Sequence, residues 1–156
     1  MNDSFMPSEI GVYIREVDKL TEIEPEIVNI KKSGFLKSAY TWGIVKGHVD
    51  GYIKNQKSRF DLPKDAEIII MTPEGTAITE YQLLSLEQEK DRRKFRSANT
   101  GMLGQTIESG TGKNAVSFDF EKIAPRIYKI RLESLEPGEY GFMPPESGKI
   151  YSFTIK

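Results

Sequence analysis

Six consecutive residues carry most of the chemical potential of this chain: Asp91-Arg92-Arg93-Lys94-Phe95-Arg96. Cations interleaved with an aromatic ring are the ingredients of a single-strand nucleic-acid platform, where charges track phosphates and rings stack on bases. Lys54, Lys57 and Arg59, with Tyr52 and Phe60, would extend that face. The plainer reading is a hairpin tip whose charges discourage edge-to-edge association. Glu87, Glu89 and Asp91 neutralise much of the cluster, and the whole chain has a net charge of −1. A general nucleic-acid binder is usually basic. Nucleic acid is therefore the lesser reading.

The remaining candidates are weaker. His48 is the only histidine, beside Lys46 and Asp50, and reads as a surface residue. There is no cysteine, which removes disulfides, thiolate metal sites and cysteine nucleophiles together. One imidazole without thiols is a poor transition-metal set. Asp61, Asp65 and Glu67, with Lys64 among them, are too scattered for a calcium loop. Ser109-Gly110-Thr111-Gly112-Lys113-Asn114 superficially suggests a phosphate loop, but Ile107 and Asn114 stand where that motif needs Gly and Ser or Thr. Gly-x-Ser-x-Gly is absent. Glycoside hydrolysis needs two facing carboxylates, and spacing singles out no pair. No catalytic residue, metal or cofactor is assigned. Trp42, His48, Tyr52, Arg92, Arg93 and Arg96 are the candidate binding surface, with Trp42, Tyr40 and Tyr52 either lining a ligand or filling the core.

The elements that must position these residues are strands. With 156 residues, 38% hydrophobic and 29% charged, the chain reads as one domain, 1–156, large enough for a core. Residues 1–8 read as a flexible start without signal-peptide character, although strand pattern beginning at Glu9 is compatible with a signal removed ahead of Met1. No run approaches the roughly 20 apolar residues of a spanning helix. Ile10, Val12 and Ile14 alternate with Gly11, Tyr13 and Arg15 as a half-buried strand. Leu20–Ile23 follows, Pro25 interrupts, Ile27–Ile30 resumes, and Lys31-Lys32-Ser33-Gly34 reads as a turn. Phe35 to Trp42 fits a short helix or a strand equally. From Gly43 to Ile53 the alternation is clear, and Gly43, Gly47 and Gly51 mark bends or close backbone approach. Glu67–Met71 suits a central strand covered on both faces, ended by the turn Thr72-Pro73-Glu74-Gly75.

Residues 77–97 fork between helix and hairpin. Their helix propensity is good, yet 87–94 is wholly polar, so no apolar stripe continues, and a hairpin is favoured. Residues 98–114 form a long Gly/Ser/Thr-rich loop. Val116, Phe118 and Phe120 form one strand; Tyr128, Ile130 and Leu132 share a face of another. Pro137-Gly138 reads as a turn, followed at once by Tyr140 and Phe142 on a strand, the pattern of a tyrosine corner, with 149–156 pairing beside it. About nine short strands predict an all-β antiparallel β-sandwich, immunoglobulin-like or jelly-roll-like, with a Greek-key β-barrel as the alternative.

The stretches Glu9-Ile10-Gly11-Val12-Tyr13, Ile78-Thr79-Glu80-Tyr81-Gln82-Leu83-Leu84 and Pro137-Gly138-Glu139-Tyr140-Gly141-Phe142-Met143-Pro144-Pro145 resemble a family of uncharacterised bacterial proteins, nearly end to end. Members often carry an export signal, so the resemblance implies a periplasmic or exported protein. It implies no activity and transfers no site residue. The expectation is a non-catalytic module of the cell envelope binding a protein or glycan partner. Alternatives are a nucleic-acid-binding β-domain using the 91–96 cluster, and a hydrolase whose carboxylates pair only in the fold. Exposed edge strands also allow a homodimer.

Overall fold

Alternation of apolar and polar residues builds two antiparallel sheets whose facing sides bury one another. The computed structural model describes residues 6–33, 48–63, 66–97, 114–145 and 147–156. Among these are fourteen strands and one 3-10 turn, Ile78–Glu80. The fold is all-β, as expected, with more and shorter strands than nine.

The first sheet has five strands, in the order β11 (Asp119–Ala124), β12 (Ile127–Arg131), β7 (Glu67–Met71), β1 (Gly11–Arg15), β2 (Leu20–Glu22). Ile68, Ile69 and Ile70 of central β7 are fully buried, because both faces are covered. Every residue of β1, expected to be half-buried, is buried as well. A small cluster of Tyr13, Ile69 and Ile127 covers the outer face, with Met6 and Leu20 packed on it. Pro7 is also buried, so within the segment expected to be a flexible start, 1–8, Met6 and Pro7 are packed while Ser8 is exposed.

The second sheet is a path of seven strands: β3 (Glu26–Ile27), β14 (Lys149–Ile155), β13 (Gly138–Met143), β8 (Gln82–Gln88), β9 (Arg92–Ser97), β5 (His48–Lys54), β4 (Asn29–Ser33). Two short strands lie off the path: β10 (Ala115–Val116) on β8, and β6 (Asp61–Leu62) parallel to β14. The path begins and ends on one run of chain, since only Val28 separates β3 from β4, and Val28 N–H donates to the Gly148 carbonyl. The sheet is thus a nearly closed barrel. Sandwich and barrel coexist: the five-stranded sheet packs on the outside of the barrel wall β8–β13–β14.

Period-2 alternation then sorts each wall strand between two interiors. Tyr140, Phe142, Phe153 and Leu83 point outward, joining Val12, Ile14, Ile68, Ile70 and Ile130 in the intersheet core. Each fully buried side chain of this size contributes about 1.5–3 kcal/mol. Leu84, Leu86, Met143 and Ile150 point inward, where they meet Val28, Ile53 and Phe95. The barrel is crowded. A Cβ at Gly51 would collide with the Phe95 ring, and one at Gly141 would lie 2.6 Å from Ile150 Cδ1.

The hairpin reading of 77–97 holds, with β8 and β9 joined through Glu89–Asp91, although Ile78–Glu80 is a 3-10 turn. Lys31–Ser33, read as a turn, belongs to β4, paired with His48–Asp50. The stretch read as one strand around Phe118 is split into β10 and β11. The turn before β13 lies earlier than Pro137-Gly138: Leu135 N–H closes it onto the Leu132 carbonyl. Pro137, lacking an N–H, stands instead just ahead of the strand. The tyrosine corner itself is present, Tyr140 Oη donating to the Glu136 carbonyl at 2.8 Å. Tyr13 Oη does the same to the Glu9 carbonyl at 2.7 Å, so both strands are pinned four residues upstream. No helix among the described residues is long and apolar enough to cross a membrane. Trp42, Gly43, Gly47 and the 98–113 part of the long loop lie outside the described residues.

Candidate binding surfaces

Strand β9 divides the basic cluster. Because successive side chains alternate, Arg93 and Phe95 enter the barrel and are fully buried, whereas Arg92 is exposed and Lys94 half-buried. The expectation that Arg93 and Phe95 contribute to one cationic surface is therefore corrected. Arg92 and Tyr52 do meet, the guanidinium lying 3.9 Å from the ring centroid. Arg92 Nε also donates to Glu89 at 2.6 Å, and that bond, first among the causes, holds its pKa above the ordinary arginine value. One face of Tyr52 is thus closed to a stacking base and the nearest cation is paired. Phe60 packs against the intersheet core, so it is no open platform either. For His48 and Arg96 only the backbone is described, opposite Ser33 and Asp50 respectively.

Arg93 organises a buried polar cluster at one end of the barrel. Its Nη2 donates to Glu26 Oε2 at 2.6 Å and to the Lys54 carbonyl at 2.8 Å. Nε donates to the Asn55 carbonyl at 2.9 Å, and Nη1 to Ser152 Oγ at 2.9 Å. Glu139 Oε1 lies 4.0 Å from Nη1. Ser152 Oγ donates in turn to Glu26 Oε1 at 2.6 Å. Glu139 accepts from Ser58 N–H at 2.8 Å and from Thr154 Oγ1 at 2.6 Å. Ser58 Oγ donates to the Ser152 carbonyl at 2.9 Å. A buried charge is tolerated only when its partners and hydrogen bonds are complete, and here they are. The carboxylates of Glu26 and Glu139 thus hold an arginine and two hydroxyls.

Sequence reading missed Glu26, Glu139, Ser58, Ser152 and Thr154. The alternation of Glu139 with Tyr140 and Phe142 does place it on the opposite face, but on an open sheet that face meets solvent. Only barrel closure buries it.

Two clefts lined by described residues open on these interiors. The larger, about 1160 Å3, lies where the intersheet core meets solvent. Leu62, Ala66, Ile130, Leu132, Leu135 and Ile155 form its floor, and Asp61, Glu67, Glu133, Lys129, Arg131 and Lys156 its rim. Lys129 and Arg131 reach Glu121 at 3.3 and 3.5 Å, lowering the pKa of that carboxyl, chiefly through the Lys129 hydrogen bond. Lys156 reaches Asp61 at 3.2 Å. The smaller cleft, about 390 Å3, backs onto Arg93 and Glu26. Among the described residues no three acidic or histidine side chains come together to hold a metal ion.

Comparison with family models, curated proteins and solved structures finds no match to this chain.

Proposed function

We propose that this protein is a non-catalytic binding module of the bacterial cell envelope that takes a protein or glycan partner in the cleft between its two sheets. The observation carrying this reading is the cleft of about 1160 Å3, floored by apolar side chains and rimmed by both signs of charge. Concave, mostly apolar sites with a few polar groups are where ligands bind. The carboxylates that the fold brings together support it: Glu26 and Glu139 share Arg93 as their partner and are not set facing across open space. The envelope setting rests on the family resemblance.

A second copy joined along β11 is the less favoured partner. Two-fold antiparallel pairing there sets Glu121 against Glu121, Asp119 against Glu121, or Lys122 against Lys122, and like charges directly opposite destabilise. A bulge between Lys122 and Ala124 blunts that edge further.

Titration of the 15N-labelled protein with oligosaccharide and peptide panels tests the reading. Shifts are expected at 61–63, 66–67, 129–135 and 155–156, and Ala66→Trp, which fills the cleft, abolishes them. Shifts confined elsewhere, or turnover of any probe, would overturn it.

A further inference from the structure

We infer that the smaller cleft, at the charged end of the barrel, binds a small organic anion: a carboxylate or phosphate carried on a polar, sugar-sized body. Lys54, Lys57 and Arg59 converge on this space of about 390 Å3 from within six residues of chain. Arg59 is answered by Glu24 at 2.9 Å, and Glu26 is spent on Arg93 and Ser152. Lys54 and Lys57 are exposed and form no ion pair among the described residues. The cleft therefore carries a positive surplus on a chain whose net charge is −1.

The backbone carrying Lys54 is tied down by hydrogen bonds. Asn55 has a left-handed φ of 73°, and its N–H donates to the Asp91 carbonyl at 3.0 Å. Arg93 clamps the Asn55 and Lys54 carbonyls from inside. Arg93 is thus a positioning residue whose donors are committed to the protein, and the lysines are the ligand-facing groups. Fixing the backbone at 54–55 beforehand lowers the ordering cost of binding. Asn29 and Asn55 add amides to the lining, while Pro25 and the exposed Ile27 make an apolar lip suited to the C–H face of a sugar ring.

The test is calorimetry at low and physiological salt with three probes: trigalacturonate, glycerol 3-phosphate and neutral maltotriose. At least one anion binds, weakening as salt rises, and maltotriose does not. Lys54→Glu with Lys57→Glu weakens the anion about tenfold or more. Lys19→Glu with Lys122→Glu, of identical net charge, leaves it unchanged. Binding of trigalacturonate alone assigns a carboxylated glycan, of glycerol phosphate alone a phosphate ester, and of both a general anion subsite. The inference is overturned if neither anion binds at low salt, if maltotriose binds equally, or if the control pair loses as much. Ala66→Trp leaves this site intact, so it stands or falls separately from the intersheet cleft.

Discussion

The molecule has two interiors that share a wall, and they are filled by opposite strategies. Between the sheets, side chains from two facing layers interdigitate, and the buried cluster is aliphatic and aromatic except for the phenols of Tyr81 and Tyr140. Inside the barrel, side chains converge from all around a ring. Space is scarce enough to require glycine at 51 and 141, and one end is closed by Arg93, Glu26, Glu139 and three hydroxyls. The apolar interior gains from every methylene removed from water. The charged end is stable only as a complete set, because each group lost leaves another buried without its partner.

Arg93→Met leaves the buried Glu139 and the half-buried Glu26 without their cation and costs about 3–5 kcal/mol of unfolding free energy. Replacing Arg93, Glu26 and Glu139 together with apolar residues recovers most of that loss; a triple variant as unstable as the single one would mean the charged end is required by shape. Urea unfolding measures both. Gly51→Ala drives a Cβ into Phe95 and costs about 1–3 kcal/mol. Phe95→Leu in the same chain restores part, whereas Ile70→Val between the sheets costs only about 0.5–1.5 kcal/mol. Equal losses at the two positions would erase the proposed difference in crowding.

The two pinned tyrosines give a matched pair. Tyr140→Phe and Tyr13→Phe each remove one hydrogen bond to a carbonyl four residues upstream, costing about 1 kcal/mol in thermal or urea unfolding. Unequal losses would show that one corner is ornamental.

One further effect is silent at neutral pH. Burial, with a lesser contribution from Tyr151, pushes the Tyr81 phenol up to about 12. Between the ordinary value of 10 and that figure the unfolded chain releases a proton the folded chain keeps, so stability falls as pH rises through this window. Absorbance of phenolate at alkaline pH follows the ionisation, and Tyr81→Phe flattens the decline. A phenol titrating near 10 in the folded protein would place Tyr81 in contact with water.

Much of the fold was legible because it depends on period and local chemistry. The triple isoleucine of β7 reads as a strand covered on both faces, the polar run 87–94 favours a hairpin over an amphipathic helix, and Tyr140 at the start of a late strand announces its own pin. Errors fell where local chemistry misleads. Lys31-Lys32-Ser33 carries turn-like residues yet lies within β4, where backbone pairing to β5 takes precedence over propensity.

The candidate surface was the least legible part. Adjacent arginines look like one cluster in a sequence, but a pleated strand sends Arg92 to solvent and Arg93 into the barrel. By itself the chain determined its longer strands, their two-faced alternation and the class of fold, since each follows from neighbouring residues. The second interior was decided only by the tertiary structure. Closing β3 and β4 into one ring turns an outer face inward and brings Glu26, Arg93 and Glu139 together from distant strands, and no local pattern records that closure.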